Sequence, residues 1–90
     1  MQKVRKFRLL RLQYHITRAE LAEAAGISPQ RVSQLELDLT YRPKKAERKI
    51  AMAFEQVISS RGERVDGLRQ TFQRHRDSLM EPVEETNHEL

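Results

Sequence analysis

The stretch "TRAELAEAAGISPQRVSQLE", Thr17 to Glu36, stops one short helical pattern and starts another almost at once. Thr17 is a good N-cap, and Glu20 three residues later can close a capping box. Leu21, Ala22 and Ala25 form the inner face of a helix over about 18–25. Gly26 supplies a left-handed stop without Cβ strain. Ile27 plugs the core at the turn. Ser28 caps the next helix, and Pro29 takes its first position, where a missing N–H costs nothing. Val32 and Leu35 are the inner stripe of this helix, expected to run to about Leu37. Two short helices joined by a tight glycine turn make a helix-turn-helix. The small Ala22 and Ala25 allow close approach, and the second helix is held out as a rod that fits a B-DNA major groove. An ordinary helical hairpin in a small bundle would show the same local pattern, so the rest of the chain must decide.

Val4, Phe7, Leu10 and Tyr14 recur at helical steps and predict a helix over about 2–14. "DLTYRP" reads as a linker. Pro43 can open a fourth helix containing Ile50, Ala51, Phe54, Val57 and Ile58. "SSRGERVDG" interrupts the pattern, and a last helix carries Val65, Leu68, Phe72 and Leu79 on one stripe. Pro82 and the acidic residues after it are expected to end ordered structure. No β alternation and no internal repeat is visible. The expectation is an all-α bundle of about five helices. Its parts are a DNA-binding unit over 1–60, an amphipathic helix over 61–80 and a flexible acidic tail over 81–90.

Ninety residues suffice for one domain with a modest core and little room for a deep cleft. Cysteine is absent, and no apolar run approaches the roughly 20 residues that span a membrane. A cytoplasmic, nucleoid-associated protein without membrane contact is expected. Charge is uneven. Residues 81–90 hold four of the 13 acids and no Lys or Arg; without them 17 basic residues face nine acidic ones, a formal +8. Lys3, Arg5, Lys6, Arg8, Arg11 and Arg18 precede the first acid, Glu20, and Arg42, Lys44, Lys45, Arg48 and Lys49 crowd around Pro43. Charge alone fits a solvated helix surface as well as a polyanion-binding face.

From Leu10 to Pro43 the chain resembles the Cro/CI-like helix-turn-helix repressors, the XRE family. "LR" at 10–11, "IT" at 16–17, "ELAEAAGIS" at 20–28, "VSQLE" at 32–36 and "TYRP" at 40–43 fall in family order and spacing. The resemblance extends over residues 5 to about 58. It implies a compact lambda-repressor-like bundle that binds double-stranded operator DNA as a homodimer. It also implies that Ser28, Gln30, Arg31 and Gln34 read bases from the start and outer stripe of the recognition helix. Gln30 and Gln34 are one turn apart; a Gln amide can pair bidentately with adenine, and Arg31 can take guanine or a phosphate. Ser33 points nearer the body, with its hydroxyl in reach of the backbone. Arg18, where relatives often carry a phosphate-bonding Gln, and Arg42 and Lys44 beside Pro43 are the other implied phosphate contacts. Arg11 and Glu36 match a family pair that locks the angle of the reading helix.

The match has departures. "LDLT" follows Glu36 where many relatives have a glycine, Pro29 replaces a frequent base-reading residue, and the segment after Pro43 aligns best with about two extra residues. The last helix lies outside the resemblance. It can pack on its own domain, pair with a second subunit, or bind a small protein partner; the narrow stripe favours a subunit contact. On that reading a chain cut after Ser60 keeps a folded Leu10–Pro43 unit. Nothing points to an enzyme, a cofactor or a metal site: His15, His75 and His88 have no ligand spacing, and no nucleophile motif or phosphate-cradling glycine loop is present. The reading is a transcriptional regulator, a repressor on an inverted-repeat operator. An antitoxin that also binds its own promoter, and a DNA-binding accessory protein of a mobile element, are the alternatives.

Overall fold

The computed structural model describes residues 3–61 and 66–85. Five helices are α1 (Lys6–Gln13), α2 (Arg18–Ala25), α3 (Pro29–Leu37), α4 (Ala46–Arg61) and α5 (Asp66–His75). A short 3-10 turn, Arg76–Ser78, follows α5. Two three-residue strands, β1 (Lys3–Arg5) and β2 (Pro82–Glu84), join the ends of the described chain. The expected helical bundle is therefore present, with a small antiparallel sheet added to it.

The turn between α2 and α3 forms as its residues require. Thr17 accepts a hydrogen bond from the Glu20 N–H at 3.0 Å. Gly26 has φ +71°, its N–H reaches the Glu23 carbonyl at 3.3 Å, and the Ile27 N–H reaches Ala22 at 3.0 Å. This pair of bonds is the Schellman arrangement that satisfies the last carbonyls of a helix. A Cβ at position 26 would meet nothing within 4 Å, so the demand for glycine is set by φ alone. Ser28 then accepts from the Arg31 N–H at 3.2 Å, and Pro29 opens α3. The capping box is only half formed, because the Glu20 carboxylate pairs with Arg61 at 3.0 Å instead of turning back to Thr17.

Three expectations need correction. First, the predicted helix over 2–14 begins at Lys6. Residues before it pair with the C-terminal segment in the register Lys3↔Glu84, Val4↔Val83 and Arg5↔Pro82. Val4 is fully buried there, so its helical spacing to Phe7 has a different cause. Second, ordered structure does not stop at Pro82. β2 continues it, and Glu85 binds Arg8 at 2.8 Å, so the start of the acidic tail lies on the body; residues 86–90, with His88, fall outside the described residues. Third, Pro43 does not open α4. Lys44 and Lys45 form a turn in which Lys45 has φ +63°, and the helix starts at Ala46, whose N–H reaches the Pro43 carbonyl at 3.3 Å.

One apolar cluster fills the centre. It includes Phe7 and Leu10 of α1, Leu21 and Ala22 of α2, Val32 and Leu35 of α3, and Ile50, Phe54, Val57 and Ile58 of α4. Leu68 and Phe72 of α5, and Leu79 beyond it, belong to the same cluster. The Phe54 and Phe72 rings stack at 5.6 Å. The C-terminal stripe is therefore occupied within the subunit, and the expectation that it faces a second one is not met; Val65 lies outside the described residues. α5 ends at His75, so Leu79 reaches the core through the 3-10 turn and not as part of a longer helix. Thr71, buried on α5, satisfies its hydroxyl on the Tyr14 hydroxyl at 2.8 Å. Among the described residues no helix is long and apolar enough to cross a membrane.

Candidate nucleic-acid interface

α3 buries Val32, Leu35 and Glu36 and turns its other side to solvent. Ser28, Pro29, Gln30, Arg31 and Gln34 are exposed, and Ser33 is half-buried. The base-reading candidates thus share one open face, at the spacing that a helix imposes. The Ser28 hydroxyl oxygen is occupied as the cap acceptor, which leaves its O–H as the group it can offer.

The angle of α3 is fixed from beneath by Glu36, which has no exposed surface. Arg11 donates to it through Nε at 2.5 Å and Nη2 at 3.2 Å, while its Nη1 reaches the Ile16 carbonyl at 2.8 Å. Arg8 adds a bond at 3.0 Å from Nη1 and Arg18 one at 3.1 Å from Nε. The implied Arg11–Glu36 pair is present, inside a larger cluster than the sequence reading foresaw. Its Arg8 member lies three residues before Arg11, on the same side of α1; that spacing was the available signal. Arg8 also holds Glu85, and these two carboxylates raise its pKa against the opposing effect of burial. Arg18 uses only Nε on Glu36. Its terminal nitrogens have no protein acceptor among the described residues, and its side chain is 40% exposed at the start of α2. It can keep Glu36 and still offer donors outward.

The loop between α3 and α4 supplies the remaining cations. Arg42, Lys44, Lys45, Arg48 and Lys49 are all exposed. Ile27, Leu35, Tyr41 and Pro43 line a small recess whose wall also includes Arg31, Lys44 and Lys49. The structure therefore brings Arg31 beside Lys44, joining a base-reading candidate to a phosphate-binding one. Lys49, counted before only as part of the basic run, shares their recess. Asp38 closes the end of α3 by accepting from the Thr40 N–H at 3.0 Å and the Thr40 hydroxyl at 2.6 Å; these bonds hold its carboxyl below the ordinary value. An Asx turn thus stands where relatives use a glycine. Arg42 Nε is 3.5 Å from the Leu39 carbonyl, a long bond that leaves its guanidinium at the surface.

A glycine turn between two short helices, an exposed polar helix face and a flanking run of cations make up a helix-turn-helix. Residues 7–47 match the family described as helix-turn-helix. That segment is a Cro/CI-like helix-turn-helix of the XRE class, the module of a DNA-binding transcription regulator. No curated protein and no solved structure matches the chain. Among the described residues no group of three or more His, Cys, Asp or Glu is placed to hold a metal ion.

Proposed function

We propose that the protein is a sequence-specific repressor that occupies an inverted-repeat operator as a homodimer. The observation that carries this reading is the open face of α3, with Gln30, Arg31 and Gln34 presented beside the cations of the following loop. Glutamine and arginine side chains discriminate bases in the major groove, and flanking cations set register on the phosphates. A nine-residue helix is only about 13 Å long and spans few base pairs. Two subunits related by a twofold axis would double the reading, with half-site centres roughly 10 base pairs apart or a multiple of that. Since Leu68, Phe72 and Leu79 are buried within the subunit, the dimer contact falls elsewhere on the surface. Repression follows from occupying a promoter.

Sequencing the fragments selected from a random DNA pool tests the proposal. A palindromic consensus is expected; equal retention of all sequences would overturn it. Within the site, Gln30→Ala should weaken the preferred operator by about 1–3 kcal/mol and change binding to random DNA little. Equal losses on both DNAs would move Gln30 to the backbone contacts. By contrast, Arg42→Ala or Lys44→Ala should weaken both DNAs alike, and each should reduce the slope of log K against log salt by about 1. An unchanged slope in both variants would show that these cations touch no phosphate. Arg18 and Ser33 are assigned to the same backbone class, Arg18 through its outward terminal nitrogens.

A further inference from the structure

Arg5 is 2% exposed and has no counterion among the described residues. Its Nη2 donates to the Leu39 and Tyr41 carbonyls, both at 3.1 Å, and its Nη1 to the Met80 sulfur at 3.6 Å. These bonds use three of the five donors of a guanidinium, and the sulfur is a weak acceptor. No carboxylate oxygen of the described residues lies within the 4.0 Å of an ion pair. Asp38 attracts it only from farther away, with its carboxylate already held by Thr40. Burial lowers the pKa of Arg5, and the nearby charge of Arg42 lowers it further. A buried charge left in this state is costly, and carbonyl dipoles offset only part of the loss of water.

Arg5 also forms part of the wall of an open cleft of about 420 Å³. Arg42, Pro43, Lys45, Ala46, Met80 and Pro82 complete most of that wall. Three cations therefore meet at one hollow, against apolar surface that weakens the screening of charge. Ala46, whose N–H is already on the Pro43 carbonyl, is the first residue of the 16-residue α4, and the positive end of that helix dipole adds to the cleft's potential. Glu47, exposed at the rim, is the one acid among the lining residues.

We propose that this cleft binds a phosphate group through Arg5, Arg42 and Lys45. A phosphate there supplies the counterion that Arg5 lacks and relieves its repulsion by Arg42. The group belongs either to the DNA backbone or to a free phosphate-bearing small molecule. The first source rests on the DNA-binding reading above; the cleft itself does not. Arg5 and Pro82 precede and follow the helix-turn-helix segment, so the β1–β2 sheet forms one side of the site.

The test uses the full chain and inorganic phosphate, with chloride at matched ionic strength as the reference. Phosphate should produce saturable amide shifts at Arg5, Arg42, Lys45 and Ala46 and raise the melting midpoint by about 5 °C when well above its dissociation constant. The double variant Arg42→Gln/Lys45→Gln keeps Arg5 and its structural bonds, and it should lose both responses. Arg69→Gln should retain them, because Arg69, exposed on α5, lies outside the cleft wall. If phosphate also competes with DNA for the wild type but not for the double variant, the source is the DNA backbone. Stabilisation without competition assigns the cleft to a free phosphate-bearing ligand. No response beyond that to chloride, or an equal response in the double variant, overturns the proposal. Direct titration of the wild type with DNA is read separately, so a failure of DNA binding is not confused with a failure of the cleft.

Discussion

Replacing Glu36 with alanine should destabilise the protein by about 3–5 kcal/mol, the scale for removing one partner from a buried ion pair. The carboxylate is fully buried and is held by Arg8, Arg11 and Arg18. Without it three guanidiniums converge on an empty centre, and Arg11 is the worst placed, with its side chain only 6% exposed. The three reciprocal variants should therefore form a series. Arg11→Ala should approach the loss seen for Glu36→Ala. Arg8→Ala should cost less, since Arg8 is 17% exposed and gives Glu36 one bond where Arg11 gives two. Arg18→Ala should cost less than about 1 kcal/mol, because a side chain 40% exposed is screened by water. Urea unfolding of the four variants, with an Arg11/Glu36 double-mutant cycle, measures this. Small, additive losses would show that the cluster does not set the angle of α3. A large loss would leave DNA affinity interpretable only where the variant is still folded, since typical domains have about 5–15 kcal/mol in total.

What the sequence revealed, and what it concealed, divides by range. Thr17, Gly26, Ser28 and Pro29 each specify a local backbone state, so α2, its stop and the start of α3 were legible without knowledge of the rest. The outward positions of Gln30 and Gln34 followed from the helical period for the same reason. The sheet was not legible. β1 and β2 have three residues each, too few for alternation to show, and Val4 meets Val83 across nearly the whole chain. The start of α4 was missed because proline suggested an opening, while the helix begins only after Lys45 has taken a left-handed conformation. Charge was the least readable level. Arg5, counted with a basic N-terminal surface, is a buried brace of the α3–α4 loop, and Arg18 divides its guanidinium between Glu36 and solvent. Those roles depend on where the ends of long side chains arrive, which sequence spacing does not specify.

Cutting the chain after Ser60 should abolish cooperative folding, contrary to what the position of the helix-turn-helix alone suggests. The cut removes Leu68, Phe72 and Leu79, all at most 2% exposed and part of the same cluster as Phe7 and Phe54. At about 1.5–3 kcal/mol for each buried large apolar side chain, the three contribute roughly 5–9 kcal/mol, comparable with the whole stability of a small domain. The loss extends to the other end: Phe7 N–H loses the Leu79 carbonyl it bonds at 2.9 Å, and β1 loses β2. The single variant Phe72→Ala isolates the packing contribution. It removes a ring stacked on Phe54, beside which Arg76 pairs with Glu55, and it should cost about 3–5 kcal/mol. Thermal melts followed by circular dichroism check both changes. Loss of DNA binding by the cut chain would then report unfolding, and it could not be used to assign a dimer interface to α5. Oligomeric state has to be read on the full chain by light scattering. A cut chain that kept a sharp melt and bound DNA as the full chain does would show the opposite: that α1–α4 close a core of their own and that α5 is an addition to it, with Phe72 able to leave Phe54 at little expense.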